Sequence, residues 1–486
     1  MRPILIIVFT TFTAIVASTA TAGLSQQDAE ARLRMAMQIA RERNDKSLVA
    51  EVEALAQSFK SALPADSDGR LRDLEKKVGI DPGGWSMAGQ PLARPTPAMA
   101  EQSRVLAVKL SDAMKSDDPA RVRAVTADML AVLGDQAGVP DGRRVGVRVD
   151  PKPMPEADAT RLFLAAIASE GRAVEQLSAG RPLPDQMLRF YGYLLDATTT
   201  VRPAIARHAP DELPRLDKLA GGSAQILLGL QQADGHFPFP DLRGRNIRFG
   251  EMIDRQIGAG TIEIRDGWVV TADPDGGTQF DTGVCGVALI AAGQLHKNDA
   301  WTKAGLRAAD WAIAQHCCGN FNYNAFSVSL LSHAYRASGE AKYRDAAVRK
   351  FRVGVAPGQA PNGRWLDAHN ARTVYHVIIL RALGDLAAAL PPDRKAERAE
   401  LDAVARPAIK ATLDEFDAAG VTVEALPELQ SLRAAWPGDA RLNKAIDQMA
   451  AMIVGKCTDG RRVRMGSQPH QLAGVVIPGS LAITVP

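Results

Sequence analysis

The second half of the chain repeats a pair of helices, one apolar on all sides and one amphipathic. The apolar member of each pair covers 281–295, 323–335 and 371–390. The amphipathic member covers 300–315 and 341–351, and it begins a third time at Asp393. A helix that is apolar on every face must be buried on every face. Pairs repeating every ~40–50 residues therefore predict stacked helical hairpins with an inner, buried layer and an outer, half-exposed layer.

Stacked hairpins of this kind form either a closed α/α toroid or an open α-solenoid. Long polar loops precede the apolar helices, and long ordered loops usually have a function, which favours the closed toroid with a functional mouth. We therefore predict a mainly α protein with an α/α toroid over 156–455. An N-terminal helical region over 23–155 precedes it, and an extended tail over 456–486 follows it.

Outside the repeats, helical periodicity and turn residues define the remaining elements. Helices are predicted over 26–63, 70–78, 98–135, 184–200 and 214–232. The helix over 184–200 is expected to end before Pro203, because proline disrupts a helix interior. Within the long loop 241–279, two strand-like segments flank Asp266-Gly267, which predicts a small β-hairpin insertion with a tight turn.

The helix predicted over 214–232 ends in the sequence Gln231-Gln-Ala-Asp-Gly-His-Phe-Pro-Phe-Pro240. Asp234-Gly235 supplies the positive φ that ends a helix, and the prolines prevent its continuation. This pattern resembles the "QxxDGGWP" helix-end motif of α/α-toroid proteins, such as toroidal pectate and polysaccharide lyases and terpenoid-cyclase-like enzymes. His236 and Phe237 stand in place of the usual Gly-Trp. The resemblance implies a helical barrel.

The first residues have the pattern of a secretory signal peptide. Arg2 precedes a short apolar run over 4–16, and Ser18-Thr-Ala-Thr-Ala22 offers a cleavage site, so we predict a signal peptide over 1–22 and export to the periplasm or the medium. No later segment approaches ~20 uninterrupted apolar residues, so no stable membrane insertion is expected after cleavage. A net charge of +3 gives no reason to expect nucleic acid as a partner.

Four cysteines follow the predicted cleavage site, namely Cys285, Cys317, Cys318 and Cys457. An oxidising compartment allows disulfide bonds, and four cysteines permit three pairings. One possibility is that the adjacent Cys317 and Cys318 bond elsewhere, to Cys285 and Cys457. A zinc site is disfavoured, because the two spaced ligand pairs of such sites are missing.

A polar cluster stands immediately before each inner helix of the repeat, at 275–281, 320–324 and 365–376. In a toroid the inner helices start at one end of the barrel, so these clusters would converge on a concave site, the default place for function. The candidate catalytic residues are His369, Asn370, Arg372, Tyr375, Asp281 and Asp367. The candidate substrate-binding residues are Asn322, Tyr323, Asn324, His236, Phe237 and Trp365.

Structural roles compete with these functional ones. Asp281 and Asn324 have the residue type of helix N-caps. His376 and His333 lie within helices and are predicted to be core histidines with satisfied hydrogen bonds.

Three functions fit the candidates. The first is β-elimination on a uronate polysaccharide, in which Asn370, Arg372 and His369 neutralise the sugar carboxylate, and Tyr375 or His369 acts as base or acid. The second is glycoside hydrolysis by two carboxylates, for which Asp281 and Asp367 are the natural pair. The third is a non-catalytic toroid that binds a glycan or a protein. The expected partner in the enzymatic cases is a polysaccharide.

No cofactor is expected. Asp273-Pro-Asp-Gly-Gly-Thr-Gln-Phe-Asp281 has the oxygen spacing of a calcium loop, so calcium is a possible ligand. However, Val284 occupies the position where an EF-hand carries its bidentate glutamate. A metal is therefore not expected at this loop.

Overall fold

The computed structural model describes most residues between 96 and 458, parts of 29–77, and residues 473–476. Within 96–458 the gaps fall at 141–148, 151–153, 184–185, 242, 244–246, 266, 270–276 and 423–424. The predicted signal peptide over 1–22, residues 273–276 of the loop with calcium-like spacing, and most of the predicted extended tail lie outside the described residues. In the tail, only 456–458 and 473–476 are described. All of them are helical, so the prediction of an extended chain is wrong at these residues.

The protein is mainly helical, as predicted. The helices, in chain order, are α1 Lys46–Ser58, α2 Ser67–Lys77, α3 Pro97–Lys115, α4 Pro119–Leu133, α5 Glu156–Ser169, α6 Gly171–Ser178, α7 Leu188–His208, α8 Leu213–Leu230, α9 Ile247–Gly258, α10 Thr278–Leu295, α11 Asp299–Ala314, α12 Phe321–Ser338, α13 Ala341–Gly354, α14 Thr373–Ala389, α15 Lys395–Ala419, α16 Leu426–Ala435 and α17 Ala440–Thr458. Short 3₁₀ turns cover Gly134–Gln136, Pro210–Glu212 and Ala356–Gly358.

One small antiparallel sheet contains strands β1 Phe239–Pro240, β2 Ile264–Arg265 and β3 Trp268–Val269, in the order β1-β3-β2. The pairing of Ile264 with Val269 confirms the predicted β-hairpin. Its turn contains Gly267 at a φ of 84°, a conformation that favours glycine. The helix α9 inside the predicted loop was not foreseen from the sequence. It contributes the buried Ile253, which packs against the sheet.

Five helices form an inner row in which each contacts the next, in the order α7, α10, α12, α14, α16. Each inner helix also packs against the next helix along the chain. These five partners form an outer set: α8, α11, α13, α15 and α17. The helix pairs predicted from the repeat are therefore present. Helix α5 contacts both α7 and α17, which are the first inner helix and the last outer helix.

Small residues allow the inner helices to approach closely. A Cβ added to Gly283 of α10 would lie 2.7 Å from the Phe326 Cβ of α12. A Cβ added to Gly286, also of α10, would lie 2.7 Å from a methyl carbon of Leu330, which is one turn further along α12. Contacts this short exclude any side chain, so the α10–α12 distance depends on these two glycines.

Two long helices predicted from the sequence are interrupted. Over 26–63, the described residues 29, 33, 36, 37 and 40 are helical, but a new helix, α1, begins at Lys46. The Asp45 side chain accepts a hydrogen bond from the Leu48 N–H at 2.9 Å as its N-cap. Over 98–135, the chain turns at Asp117, which has a φ of 60°, and Asp118 then caps α4. In both cases an aspartate side chain supplies an acceptor to a new helix start and so ends the continuous helix.

The opposite error concerns Pro203, which does not end α7. The helix continues through it to His208. Proline in a helix interior costs ~3 kcal/mol or more. On either side of it, however, α7 buries Val201, Ala204 and Ile205, each at most 3 % exposed. Burial of three apolar side chains offsets the cost of the proline.

Cys285, Cys317 and Cys318 are buried free thiols, so no disulfide joins the cysteines whose side chains are described. The side chain of Cys457 lies outside the described residues, and its three possible partners in the chain are these free thiols. The expected pairing of Cys317 and Cys318 with Cys285 and Cys457 is therefore not found. Within the described part of the chain, every helix is too short or too polar to cross a membrane.

Candidate functional site

The helix-end motif at Gln231 joins two outer helices. The Gln231 Nε2 donates to the Gly235 carbonyl at 2.9 Å and to the Ala304 carbonyl of α11 at 2.8 Å. Gly235 has a φ of 100°, and a Cβ there would lie 2.3 Å from the Arg307 carbonyl oxygen. The motif therefore closes its own turn and attaches the end of α8 to α11.

The same arrangement recurs 128 residues later, where the chain reads Gln359-Ala-Pro-Asn-Gly-Arg-Trp365. The Gln359 Nε2 donates to the Gly363 carbonyl at 3.2 Å and to the Val404 carbonyl of α15 at 2.8 Å. A Cβ on Gly363, at a φ of 84°, would lie 2.4 Å from the Pro407 carbonyl oxygen. This recurrence was not among the predictions, although the Gln–Gly–aromatic spacing is the same in both places.

Three candidate substrate-binding residues belong to these two motifs and are buried. Phe237 and Trp365 have no exposed surface, and the Trp365 Nε1 donates to the Val355 carbonyl at 3.0 Å. His236 is 5 % exposed, and its Nδ1 lies 2.6 Å from an Asp234 oxygen. In this conformation none of the three offers an open face to a sugar.

The first turns of neighbouring inner helices lie side by side. At the start of α7, Arg189 forms a bidentate ion pair with Asp281 in the first turn of α10. The Ser327 hydroxyl of α12 donates to the Gln279 side chain of α10 at 2.7 Å. Neighbouring inner helices therefore run in the same direction, as helical hairpins require.

The loop before α14 is held by Asn370, which is 2 % exposed. Its Nδ2 donates to Asn320 at 3.1 Å and to Asp367 at 2.9 Å, and its Oδ1 accepts from the Asn322 N–H at 3.2 Å. Asp367 also accepts from the Asn370 N–H at 2.9 Å. These bonds connect the starts of α12 and α14, and they occupy the amide that was a candidate for binding a sugar carboxylate.

His369 and Tyr375 lie together at the start of α14. Their rings stack with centroids 3.9 Å apart, and both residues are partly exposed. Arg372 is at the N-cap position between them in sequence. Of the candidate residues in this cluster, these three and Asp367 are partly exposed to solvent.

Asp281 is fully buried and lies in the first turn of α10, whose N-cap is Gly277. Its oxygens accept from the Arg189 Nε at 2.9 Å and Nη2 at 2.7 Å, and the Arg189 guanidinium lies over the Phe280 ring at 3.7 Å. Asp281 is thus an ion-pair partner and not an N-cap. No contact between Asp281 and Asp367 is found among the described residues.

Asn324 is also buried and is not an N-cap. Its Oδ1 accepts from the Cys318 N–H at 2.9 Å, and its Nδ2 donates to the Cys318 and Gly354 carbonyls at 2.8 Å each. Asn322 is 1 % exposed, whereas Tyr323 between them is partly exposed. Among the polar candidates at this turn, Tyr323 is the one that reaches the surface.

Residues of all five inner helices line a pocket of about 30 Å³, which is partly open to solvent. Its polar lining residues are Tyr193, Asp196, Ser329, Arg381 and Glu428. The rest of the lining is small or apolar and includes Gly283 and Ala325. None of these polar residues was among the sequence-based candidates.

Arg381 lies at the centre of this interior cluster. Its Nη2 is 3.7 Å from an Asp196 oxygen, and its Nε is 3.8 Å from an Asp385 oxygen. Burial alone would lower the pKa of Arg381, but the charges of Asp196, Asp385 and Glu428 outweigh it and raise that pKa. One guanidinium from α14 thus faces carboxylates from α7, α14 and α16.

Two further side chains hold Asp385. The Ser329 hydroxyl donates to one carboxylate oxygen, and the His333 Nε2 lies 3.6 Å from the other. Burial would raise the pKa of Asp385, but His333, Arg381 and Ser329 together lower it, so this carboxylate is ionised. His333, predicted as a core histidine, is a partner of Asp385 with 21 % of its side chain exposed.

Tyr193 keeps its proton in this pocket. Burial, followed by the charge of Glu428, raises the pKa of its phenol above the usual range. By contrast, His376 is a core histidine, as predicted. It is fully buried, its Nε2 lies 3.0 Å from the Ala408 carbonyl oxygen, and burial holds its pKa well below the usual value. Its hydrogen bonds are only half satisfied, however, because its buried Nδ1 has no hydrogen-bond partner.

The sequence did contain a pattern that marks the interior cluster. Charged and polar residues recur every three or four positions on inner helices that are otherwise apolar. They are Arg189, Tyr193 and Asp196 on α7, Ser329 and His333 on α12, and Arg381 and Asp385 on α14. Ionisable residues are almost never fully buried unless they are paired, so such a stripe indicates a polar interior.

No protein-family model matches this chain, and no match was found among the curated proteins.

Proposed function

We propose that the helix pairs form an α/α toroid. The order of contacts along the inner row supports this proposal, as does the pocket to which all five inner helices contribute. Helix α5 supports closure, because it contacts α7 and α17 at the two ends of the double row. An open solenoid would leave those ends apart. A small-angle X-ray scattering profile of the mature protein distinguishes the compact toroid from an elongated solenoid.

We propose that the interior of this toroid is the active site of a glycoside hydrolase. The observation that carries the proposal is the convergence of Asp196, Asp385 and Glu428 around Arg381. Burying charge rarely stabilises a protein, so a buried ionic cluster in a concavity is a candidate functional site. Hydrolysis of a glycosidic bond requires two carboxyl groups on either side of it.

Asp196 and Glu428 are the proposed catalytic pair, because they line the pocket from α7 and α16. One would protonate the leaving oxygen, and the other would act as base or nucleophile. Asp385 is held by Ser329 and His333 and stays ionised, which suits a role in orienting Arg381. The Asp281–Asp367 pair expected from the sequence is replaced in this proposal, since Asp281 already binds Arg189 through both oxygens.

The test is an assay for new reducing ends, with the mature protein incubated with a panel of neutral and acidic polysaccharides. Asp196→Asn and Glu428→Gln should each lower activity by at least ~100-fold, the scale of a lost general acid or base. Asp211→Asn, the same chemical change at an exposed site, is the control and should leave activity unchanged. Full activity in both interior variants would contradict the proposed pair.

A polysaccharide lyase is the second candidate, and one observation favours it. His369 and Tyr375 stack against each other and remain partly exposed, so a base and an acid for β-elimination are within reach of a ligand. The same incubations followed by ultraviolet absorbance test this candidate, because elimination leaves an unsaturated sugar. If the ultraviolet absorbance rises with the native protein but not with His369→Ala or Tyr375→Phe, the result supports elimination and not hydrolysis.

Export is part of the proposal, since a polysaccharide is met outside the cytoplasm. The predicted signal peptide over 1–22 supports it. Sequencing the N-terminus of the protein recovered from the periplasm and the medium tests both cleavage and destination. A retained Met1 would contradict cleavage.

A further inference from the structure

Arg381 is shared between two carboxylates that lie on different sides of it. Its Nη2 is 3.7 Å from an Asp196 oxygen on α7, and its Nε is 3.8 Å from an Asp385 oxygen on its own helix, α14. Both distances are too long for a hydrogen bond, although they are short enough for an ion pair. The guanidinium is therefore attracted by both carboxylates and is in close contact with neither.

Another arginine–aspartate pair with the same spacing is in closer contact. Arg398 and Asp402 are also four residues apart on one helix, α15, and the Arg398 Nε donates to Asp402 at 3.1 Å. Asp402 accepts from the Trp436 indole at 3.0 Å as well, so a neutral donor on the carboxylate does not keep the arginine away. Asp385 likewise has a neutral donor, a serine hydroxyl. The longer distance at Arg381 therefore has another cause.

The cause lies in the charges around this pair. The His333 Nε2 of α12 lies 3.6 Å from the Asp385 oxygen that is not the one near Arg381. A protonated imidazole competes with the guanidinium for the carboxylate and repels it, because both carry positive charge. Asp196 attracts Arg381 from α7, and Glu428 faces it from α16. The charge on His333 therefore determines how strongly Asp385 holds Arg381.

Histidine is the side chain that ordinarily gains or loses its proton between about pH 5 and 8. Arg381 keeps its proton throughout this range. Burial would raise the pKa of Asp385, but its partners lower that pKa, and burial raises the pKa of Tyr193. Helix α12 also packs against α10, α11 and α13, and the described parts of these helices provide no ion-pair partner for His333.

We infer that His333 is a positioning residue of the interior site and controls the pH dependence of that site. The protonated imidazole pairs with Asp385 and leaves Arg381 shared with Asp196, the proposed catalytic carboxylate. When the imidazole loses its proton, Arg381 moves toward Asp385 and away from Asp196. This inference rests on the proposed function and adds its regulation by pH.

The test follows the Nε–H signal of Arg381 by NMR, on mature protein that contains isotope-labelled arginine. Arg381→Lys identifies the signal, because that variant lacks it. In the native protein the signal should shift with one midpoint between about pH 5 and 8. The measurement needs no substrate, and a signal that does not change over this range overturns the inference.

Two variants fix the charge at the position of His333. His333→Gln is neutral and should hold the Arg381 signal at its alkaline position at every pH. His333→Lys stays charged up to about pH 10 and should hold the signal at its acidic position. A titration that persists in either variant belongs to another acid, such as Asp196 or Glu428, and overturns the inference.

His208 provides a matched control. Its Nε2 lies 3.0 Å from a Glu156 oxygen, in an exposed pair between α7 and α5. His208→Gln also removes a histidine beside a carboxylate, but it should leave the Arg381 titration unchanged. Loss of the titration in this variant would overturn the assignment to His333.

The activity assay separates this inference from the proposed function. On any polysaccharide that the protein hydrolyses, kcat/KM should fall by up to ~10-fold per pH unit above the midpoint of the Arg381 titration, and His333→Lys should remove that fall. The expected titration without new reducing ends from any polysaccharide retains the effect of His333 on Arg381 and removes the hydrolase. Hydrolysis without a titration of Arg381 retains the hydrolase and removes the role of His333.

Discussion

Replacing Arg189 by methionine tests the structural account most directly. Asp281 has no exposed surface, and its two oxygens accept from the Arg189 Nε and Nη2. Arg189→Met would leave this carboxylate buried without its counter-charge. Methionine would keep part of the packing on the Phe280 ring, since it is a flexible side chain of similar length. The change therefore isolates the ion pair between α7 and α10.

The expected loss follows from the burial of the pair. Removing one partner of a buried ion pair costs ~3–5 kcal/mol, because the other charge stays desolvated. Arg202 and Asp217 provide a matched control between α7 and α8, with a bidentate pair at 2.8 and 2.9 Å. Their side chains are 29 % and 34 % exposed, so Arg202→Met should cost only ~0.2–1 kcal/mol.

The measurement is urea unfolding followed by far-ultraviolet circular dichroism, with both variants and the native protein. Adding Asp281→Leu to Arg189→Met should restore part of the lost stability, because it removes the uncompensated charge. The reasoning is refuted if Arg189→Met destabilises no more than Arg202→Met. It is also refuted if the double variant is less stable than Arg189→Met alone.

The remaining predictions concern the helix-end motif and one buried histidine. Gln359→Ala should cost ~1–3 kcal/mol in urea unfolding, because its hydrogen bonds to the Gly363 and Val404 carbonyls are lost. Gln315→Ala, which removes one long bond of 3.4 Å to the Trp311 carbonyl, should lose less stability. Equal losses would contradict a stabilising role for the two Gln359 hydrogen bonds. Gly363→Ala should prevent the native turn, since the added Cβ would overlap a backbone oxygen; a thermal midpoint equal to that of the native protein would contradict it. His376 binds no proton in the folded state near pH 6 but does so when unfolded, so folding stability should fall as pH drops below about 6.5 by up to ~1.4 kcal/mol per unit. His376→Gln should make this fall shallower, and identical slopes in urea titrations at pH 5–7 would count against the assignment.

The helical part of the fold could be predicted because its pattern is local. The apolar and amphipathic helices of the repeat, and the Asp-Gly turn of the β-hairpin, follow from periodicity and turn chemistry within a few residues. The secondary-structure predictions were wrong where tertiary contacts determine whether a helix forms or continues. Pro203 stays within α7 because burial around it outweighs the proline, and α9 forms where its apolar face meets the small sheet.

The candidate site could be predicted only in part, because residue type does not reveal direction. Asn370, Asp367 and Asn324 have suitable chemistry, yet their side chains point back to loop backbones and fix the starts of α12 and α14. Such loops need amides and carboxylates to satisfy their backbone groups. A polar cluster before a helix is therefore expected for structural reasons, whether or not a ligand binds there.

Polar residues inside an apolar helix carry more information than polar residues in its loop. A loop amide at the start of a helix is stabilising, so Asn370 needs no functional explanation. Arg381 and Asp385 instead occupy positions in α14 whose neighbours Leu380, Leu383 and Leu386 are fully buried or nearly so. Apolar side chains there would cost less to bury than a charged pair and would often give equal or greater stability. A ligand that needs these charges would explain their presence, and we therefore propose the chemistry for the interior and not for the loops.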